Sequence, residues 1–548
     1  MSEILKFGVK NYRLFKHEQQ FCLKPVTIIT GPNNSGKSSL INFLSLLSSG
    51  FKNSDFPLID LRKEKINVNK VEELISFGSS DELITFFFTY YSELANTELR
   101  IQYNFTNGDK FEEPFCLIFH SLVVTSGTTE IFRLSRNFNY ELFKPQYVSP
   151  FERGDESSMI YKLNIAFFEE VKSAKRKDNF RLIFDHFKDR FNEYWIGEIF
   201  PNDVFYGTDL IYKVRFLDVA SQFFADELFN LESPEIREKL LFGDDIKPHE
   251  EYSALLKKTK YKDFVSQVLS PFFNEWQKQI YRWTFVDSIK PDKLFQNTFI
   301  PYSTESSYLS DANNLLRNTL MNNNPEQLLF KGLSLFGRKG VLEIQDYEGA
   351  GFTVNYVPCS VLKADTSLLG SLYNNVVLEK NETEKVVLSS FGSGFISICS
   401  IILRVLSKVN SLLQRKRQTK ASENEYDLKF TPIILLEEPE AFLHPAWQSK
   451  LAELLILIQK YYKVNFIIET HSEYIIRKLQ YLIAKNKIKP EDLIIYYFHA
   501  PDKIPKGEKQ VKEMKIRKDG MMDDDFGEGF FDESIRLTID LLNSQNKN

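Results

Sequence analysis

Val26-Thr27-Ile28-Ile29-Thr30-Gly31-Pro32-Asn33-Asn34-Ser35-Gly36-Lys37-Ser38-Ser39 is the stretch that decides how this chain is read. Its first five residues are apolar and β-branched, the composition of a buried strand. The next eight fit G-x-x-x-x-G-K-[ST], and beyond them Leu40, Ile41, Leu44 and Leu47 recur at helical spacing. A glycine-rich loop between a strand and a helix turns backbone N–H groups inward around phosphates, and the helix start adds positive potential. Lys37 is placed to reach β- and γ-phosphates and the Ser38 hydroxyl to ligate Mg²⁺, with Gly31, Asn33, Asn34, Ser35, Gly36 and Ser39 completing the cradle. The plain alternative is a Ser/Asn/Gly turn with a stray lysine, and the flanking strand and helix weigh against it.

Outward from this loop, the matching chemistry lies near the other end of the chain. Ile433-Ile434-Leu435-Leu436-Glu437-Glu438-Pro439-Glu440 puts two carboxylates at the carboxyl end of a buried strand, where ligands of open α/β sheets bind. One acid there holds the water shell of Mg²⁺ and the second orients an attacking water. Taken alone the pair reads as a helix cap; a phosphate loop elsewhere in the chain makes that the weaker reading. Ile467-Ile468-Glu469-Thr470-His471-Ser472 is a second apolar strand ending in polar residues, so His471 falls on the same sheet edge, where a neutral imidazole contacts a γ-phosphate. A satisfied structural histidine is the competing reading. Leu388-Ser389-Ser390-Phe391-Gly392-Ser393-Gly394 precedes a helix, so Ser390, Gly392, Ser393 and Gly394 offer a second anion site, or a flexible helix cap.

Bulk properties narrow the class. At 548 residues the chain exceeds one ordinary core, and 43% hydrophobic with 26% charged residues is a globular composition. No apolar run approaches the roughly 18 residues of a membrane span, and Met1 to Lys10 lacks a signal-peptide stretch, so no membrane and a cytoplasmic location are expected. Cys22, Cys116, Cys359 and Cys399 lack zinc or redox spacing, and the seven histidines form no compact ligand set. A net charge of −5 leaves nucleic-acid binding to local patches such as Lys172 to Lys177 and Arg415 to Lys420, where solvated loops are the simpler explanation.

Along the chain, residues 1–130 read as a first lobe with strands at Thr97 to Phe105 and Phe115 to Val124. Residues 131–335 read as a mainly helical insertion, including Glu250 to Tyr281. Residues 336–500 form a second lobe, in which strands Pro432 to Leu436, Asn465 to Thr470 and Leu493 to Phe498 alternate with helices Pro445 to Tyr462 and Glu473 to Lys485 as a parallel sheet requires. Residues 501–548 are a C-terminal extension.

In order, Gly31 to Ser39, Leu388 to Gly394, Leu436-Glu437-Glu438-Pro439-Glu440 with Leu443-His444-Pro445, and Thr470-His471-Ser472 resemble the Walker A, signature, Walker B with D-loop, and H-loop of ABC-type ATPase heads. The opening Val9-Lys10-Asn11-Tyr12-Arg13-Leu14-Phe15 is similar to the first strands of SMC, RecF and OLD-like AAA-type ATPases. The resemblance covers about 1–50 and 385–500. It implies an α/β P-loop NTPase of the ABC head type, a mixed sheet lobe plus a parallel α/β lobe, with the helical insertion between them. It implies ATP and Mg²⁺ as cofactors, Ser38 and Glu437 at the metal, and Glu438 as catalytic base beside Glu437 and His471. It also implies a homodimer or higher oligomer, with ATP sandwiched between one protomer's P-loop and the other's signature. Two positions depart from the pattern: Glu437 stands where Asp is usual, and Phe395 follows Gly394 where Gln or Glu is usual.

Within that class, the run Glu469 to Tyr474 and the tail Gly529-Phe530-Phe531-Asp532-Glu533 resemble stand-alone bacterial ATPases, including the PtuA subunit of Septu-type antiphage systems and retron-linked relatives. This implies a nucleotide-gated sensor or scaffold for a partner nuclease of the HNH type, with nucleic acid met directly or through the complex. A RecF/SMC-like ATPase of DNA repair or chromosome maintenance is the alternative. The stretch after His471 carries no Toprim-like acid strands, so intrinsic nuclease activity is not expected, and so large an insertion does not suit a transporter ATPase.

Overall fold

The structure is a computed structural model describing residues 4–52, 58–61, 70–107, 116–136, 159–164, 194–199, 272, 275–276, 279, 288–289, 300–301, 325–347, 351–363, 377–421, 431–527 and 533–545. Two compact units emerge, one of Met1–Cys22 with Leu46–Thr284, the other of Leu23–Ser45 with Phe285–Asn548. Along the chain, β1 (Ile4–Lys10) pairs antiparallel with β2 (Gln19–Cys22), and β3 (Val26–Thr30) leads through the glycine-rich loop into α1 (Lys37–Lys52).

In the first unit follow β4 (Leu58–Asp60), β5 (Ile84–Ser92), β6 (Thr97–Asn107), β7 (Cys116–Ser126), β8 (Thr129–Arg136), β9 (Met159–Asn164) and β10 (Tyr194–Ile199). With β1 and β2 they form one antiparallel sheet in the order β10-β9-β8-β7-β6-β5-β1-β2, with β4 against β7. Phe86, Phe87 and Phe88 of β5 are all fully buried, so this sheet is covered on both faces there. Of the range expected as a helical insertion, β9 and β10 are strands of this sheet, and Phe272, Glu275, Trp276 and Gln279 are helical. The rest of Glu250 to Tyr281 and the Lys172 to Lys177 cluster lie outside the described residues.

The second unit adds β11 (Ser288–Ile289), β12 (Ile300–Pro301), α2 (Pro325–Leu335), β13 (Gly340–Tyr347), β14 (Gly351–Lys363), β15 (Val377–Lys380), β16 (Val386–Val387), α3 (Ser393–Ala421), β17 (Ile433–Glu437), α4 (Pro445–Tyr462), β18 (Asn465–Glu469), α5 (Glu473–Ala484), β19 (Leu493–Phe498), β20 (Val511–Met514) and α6 (Glu533–Gln545). Strands β12 to β16 make a small antiparallel sheet around β14. The larger sheet runs β11-β17-β18-β3-β19-β20, parallel except where β20 meets β19. A parallel sheet wrapped on both faces needs strands that are apolar at every position. β3, β17 and β19 come close to this demand: every residue of each is buried, and Thr27, Thr30 and the strand-ending Glu437 interrupt the apolar run. Val26, Ile28, Ile434, Leu436, Phe466, Ile468 and Ile495 share one core with buried residues of α3, α4 and α5.

Helix starts follow from capping. The His444 Nδ1 accepts the Ala446 N–H at 3.3 Å with Pro445 opening α4, and the Ser472 Oγ accepts the Ile475 N–H at 3.2 Å to open α5. Ser393–Asn410 of α3 is long and apolar enough to pass for a membrane span, a stretch the sequence reading overlooks; it is a core helix, with 78% of it buried. Arg415, Lys416, Arg417 and Lys420 lie on the last turns of α3 and not in a loop. A parallel sheet with the glycine-rich loop leaving an interior strand is the P-loop NTPase fold, the α/β class that the motifs imply.

Candidate functional site

β3 lies between β18 and β19, although the residues of β18 follow it by more than four hundred positions. Three bonds join the strand ends: the Thr30 hydroxyl donates to the Thr470 carbonyl at 2.8 Å, the Thr470 N–H to the Ile29 carbonyl at 3.0 Å, and the Glu438 N–H to the Glu469 carbonyl at 2.9 Å. Register sets Glu437 beside Glu469, and Glu469 beside Ile29. The carboxyl ends of β17, β18 and β3 thus bring acids, histidine loop and glycine-rich loop to one edge, all within the second unit.

The loop itself is shaped by two glycines. Gly31 has φ 142°, and a Cβ there would sit 2.3 Å from the Phe498 carbonyl oxygen; Gly36 has φ 103°. Lys37 is folded into the loop at 3% exposure, its Nζ donating to the Pro32 carbonyl at 2.7 Å and to the Ser35 Oγ at 3.5 Å. Burial lowers the Lys37 pKa from its ordinary value, while Glu469 and Glu438 pull it back up. Asn33, Asn34 and Ser38 are exposed, and Ser35 and Gly36 are buried. Behind the loop, the Gln510 side-chain amide donates to the Ser35 carbonyl at 3.1 Å.

The acids differ in setting. Glu437 is buried and Glu438 exposed, the latter in left-handed backbone at φ 42°. Glu469 is 2% exposed and accepts the Ser38 hydroxyl at 2.7 Å. Burial raises its pKa above the ordinary carboxylate value; the Ser38 bond and Lys37 lower it, and Glu437 and Glu438 raise it further. The Glu440 Oε1 accepts the Thr470 hydroxyl at 2.8 Å and the His471 N–H at 2.7 Å. The other Glu440 oxygen is buried with no partner among the described residues, and burial raises that pKa too. Partial burial and then Lys37 lower the His471 pKa, with Glu438 opposing, so the imidazole stays neutral near pH 7.

Lys37, Ser38, Glu437, Glu438 and His471 therefore converge with Glu469. Ser390, Gly392 and Ser393 are exposed at the start of α3. Gly394 abuts the turn after the acids: a Cβ there would lie 3.1 Å from the Phe442 carbonyl oxygen. Phe395, the departure from the signature pattern, is 3% exposed and packs on Phe391, Tyr356 and Trp447. The sequence reading assigns no role to Glu469, Glu440 or Gln510. Glu469 alone carried a visible signal, an acid closing an apolar strand just as Glu437 does.

An exposed serine hydroxyl flanked by carboxylates is an oxygen-only donor set that suits a hard divalent cation such as Mg²⁺. Among the described residues, no group of three or more His, Cys, Asp and Glu side chains could hold a metal ion by itself, so nucleotide phosphates would have to supply the remaining ligands.

Comparison with known proteins follows the same lines. The family model described as AAA ATPase domain matches residues 3–476, and one described as a protein of unknown function, DUF3696, matches residues 488–541. No curated protein matches the chain. Solved structures similar to it include the Smc head domain with an extended coiled coil bound to the C-terminal domain of ScpA from Pyrococcus furiosus, at 11% identity and TM-score 0.33, covering 99% of this chain and 100% of that one. The SMC head domain from Thermotoga maritima is similar at 11% identity and TM-score 0.29, covering 90% and 94%. The Smc head domain with a coiled coil and joint from Pyrococcus yayanosii is similar at 11% identity and TM-score 0.34, covering 95% and 98%.

Proposed function

The chain belongs to the AAA ATPase domain family, and from that premise we propose that it hydrolyses ATP as the nucleotide-gated sensor and scaffold of a partner nuclease in antiphage defence. The observation that carries the enzymatic part is the meeting of Lys37, Ser38, Glu437, Glu438 and His471 at one sheet edge. Loop N–H groups of Gly31 to Ser39 and the Lys37 ammonium bind the phosphates. Ser38 and Glu437 would hold Mg²⁺, which when bound neutralises phosphate charge. Glu438, exposed at the edge, orients and deprotonates the attacking water, and neutral His471 meets the γ-phosphate.

Ser390, Gly392 and Ser393, exposed at the start of α3, serve with Gly394 the nucleotide of a second copy, so ATP binding joins protomers into a homodimer or higher oligomer. We assign residues 1–130 and 336–500 to the lobes of the head, 131–335 to an insertion and 501–548 to an extension. The nuclease-partner reading is supported by the Glu469 to Tyr474 run and by the tail at 529–533, of which residues 529–532 lie outside the described residues.

Glu438→Gln tests the enzymatic part: turnover falls by about two to four orders of magnitude while ATP binding persists and self-association tightens. Unchanged hydrolysis removes Glu438 from its role. The biological part is tested by purification from the native host, where an HNH-type nuclease should co-elute. ATPase stimulation by gapped or broken DNA, with no protein partner, would replace this reading with a repair function.

A further inference from the structure

Resting on the nucleotide-site reading above, we propose that Glu469 is a positioning residue for the metal: it accepts the hydrogen bond of the Ser38 hydroxyl and so turns the lone pairs of that oxygen toward the cation. A serine hydroxyl has one hydrogen to donate and two lone pairs to offer. To ligate a cation, the oxygen must face it with a lone pair, and its hydrogen must point elsewhere. The Ser38 Oγ donates to the Glu469 Oε1 at 2.7 Å, the arrangement that ligation requires, and it is in place before any ligand arrives. The acceptor is held firmly: Glu469 is 2% exposed, ends β18, and is fixed in register against β3 and β17. A charged acceptor also polarises the hydroxyl, which makes its oxygen a better ligand.

The same carboxylate has a second neighbour in the Lys37 ammonium, whose charge it supports. One buried acid therefore serves both polar side chains of the phosphate loop. It does so from the histidine strand and not from the acid-pair strand, so the pairing depends on β18 lying directly beside β3. Partners that orient a ligating group in this way typically contribute 10–100-fold to metal affinity.

The experiment measures two affinities on the full chain, that of ADP in EDTA and that of Mn²⁺ for the ADP complex by electron paramagnetic resonance. It compares wild type, Glu469→Gln, Glu469→Asp, Ser38→Ala and the Ser38→Ala/Glu469→Gln pair, with melting curves to show that each is folded. Glu469→Gln should weaken Mn²⁺ by roughly 10–100-fold and leave ADP affinity in EDTA within about threefold. Glu469→Asp keeps the charge beside Lys37 but falls a methylene short of Ser38, so it should share the Mn²⁺ loss; it carries the test alone if Glu469→Gln does not fold. In the Ser38→Ala background the Glu469 change should cost little more, since the hydroxyl it orients is gone. Unchanged or tighter Mn²⁺ binding in Glu469→Gln, wild-type behaviour of Glu469→Asp, or an equal loss without the Ser38 hydroxyl each overturns the proposal. Failure of the wild type to bind ADP in EDTA is a different result: it overturns the nucleotide-site reading itself, and this proposal with it.

Discussion

Glu438 and Glu440, two residues apart, answer opposite demands. Glu438 is exposed in a left-handed backbone, a conformation that non-glycine residues adopt mainly where the surroundings enforce it, here through its N–H on the Glu469 carbonyl. Its charge raises the His471 pKa, which burial and Lys37 depress. Glu438→Gln removes that raising influence, so the His471 titration followed by NMR should move to still lower pH; an upward move would deny their proximity. Glu440 is instead buried, with one oxygen unpartnered among the described residues. Its pKa is raised in the fold, so between the ordinary 4.5 and that raised value the folded chain holds a proton that the unfolded chain has released. Its contribution to stability is full below about pH 4.5 and is lost as pH rises through the raised value. Glu440→Gln lacks this titration, so its melting temperature should gain on wild type as pH climbs through that window and show no such trend below it.

At the scale of elements, the glycine-rich loop and β19 are fitted to each other with no room for a methyl group. Gly31→Ala places a Cβ against the Phe498 carbonyl and demands a backbone that alanine disfavours. A loss of at least about 1–3 kcal/mol is expected in urea unfolding, and a wild-type midpoint would refute the close approach. Strands such as Val26–Thr30, Ile433–Glu437 and Leu493–Phe498 were legible in the sequence because burial on both faces requires unbroken apolar runs. Loop, acid pair and histidine were legible because each sits at the carboxyl end of such a run. What spacing could not show is lateral order. The meeting of Glu469 with Ser38, and of Gln510 with Ser35, depends on which strands flank β3, and many orders satisfy the same alternation of strand and helix. Phe395 was legible only as a departure from a pattern; its reason, an aromatic cluster with residues from β14 and α4, exists only after packing.

For the whole molecule, the match to the AAA ATPase domain stops at residue 476 and a second begins at 488, yet the later segment reaches back to the phosphate loop. β19 pairs with β3 through five residues, and Gln510, beyond it, bonds to Ser35. Gln510→Ala deletes that one bond, and ADP affinity measured by calorimetry should weaken by roughly 2–10-fold. An unchanged affinity would make the contact incidental to ligand binding.

The strand that carries the phosphate loop finds its two flanking strands only after more than four hundred further residues have been made. Thr30 bonds to a carbonyl 440 positions later. At ribosomal speeds of roughly 5–20 residues per second, that interval is on the order of 20–90 s. Throughout it, an apolar strand is left with both edges unpaired in the nascent chain, the condition that favours misassociation and the attention of chaperones. A polysome-bound intermediate arrested before residue 460 should accordingly lack nucleotide affinity altogether, however well its antiparallel sheet has formed.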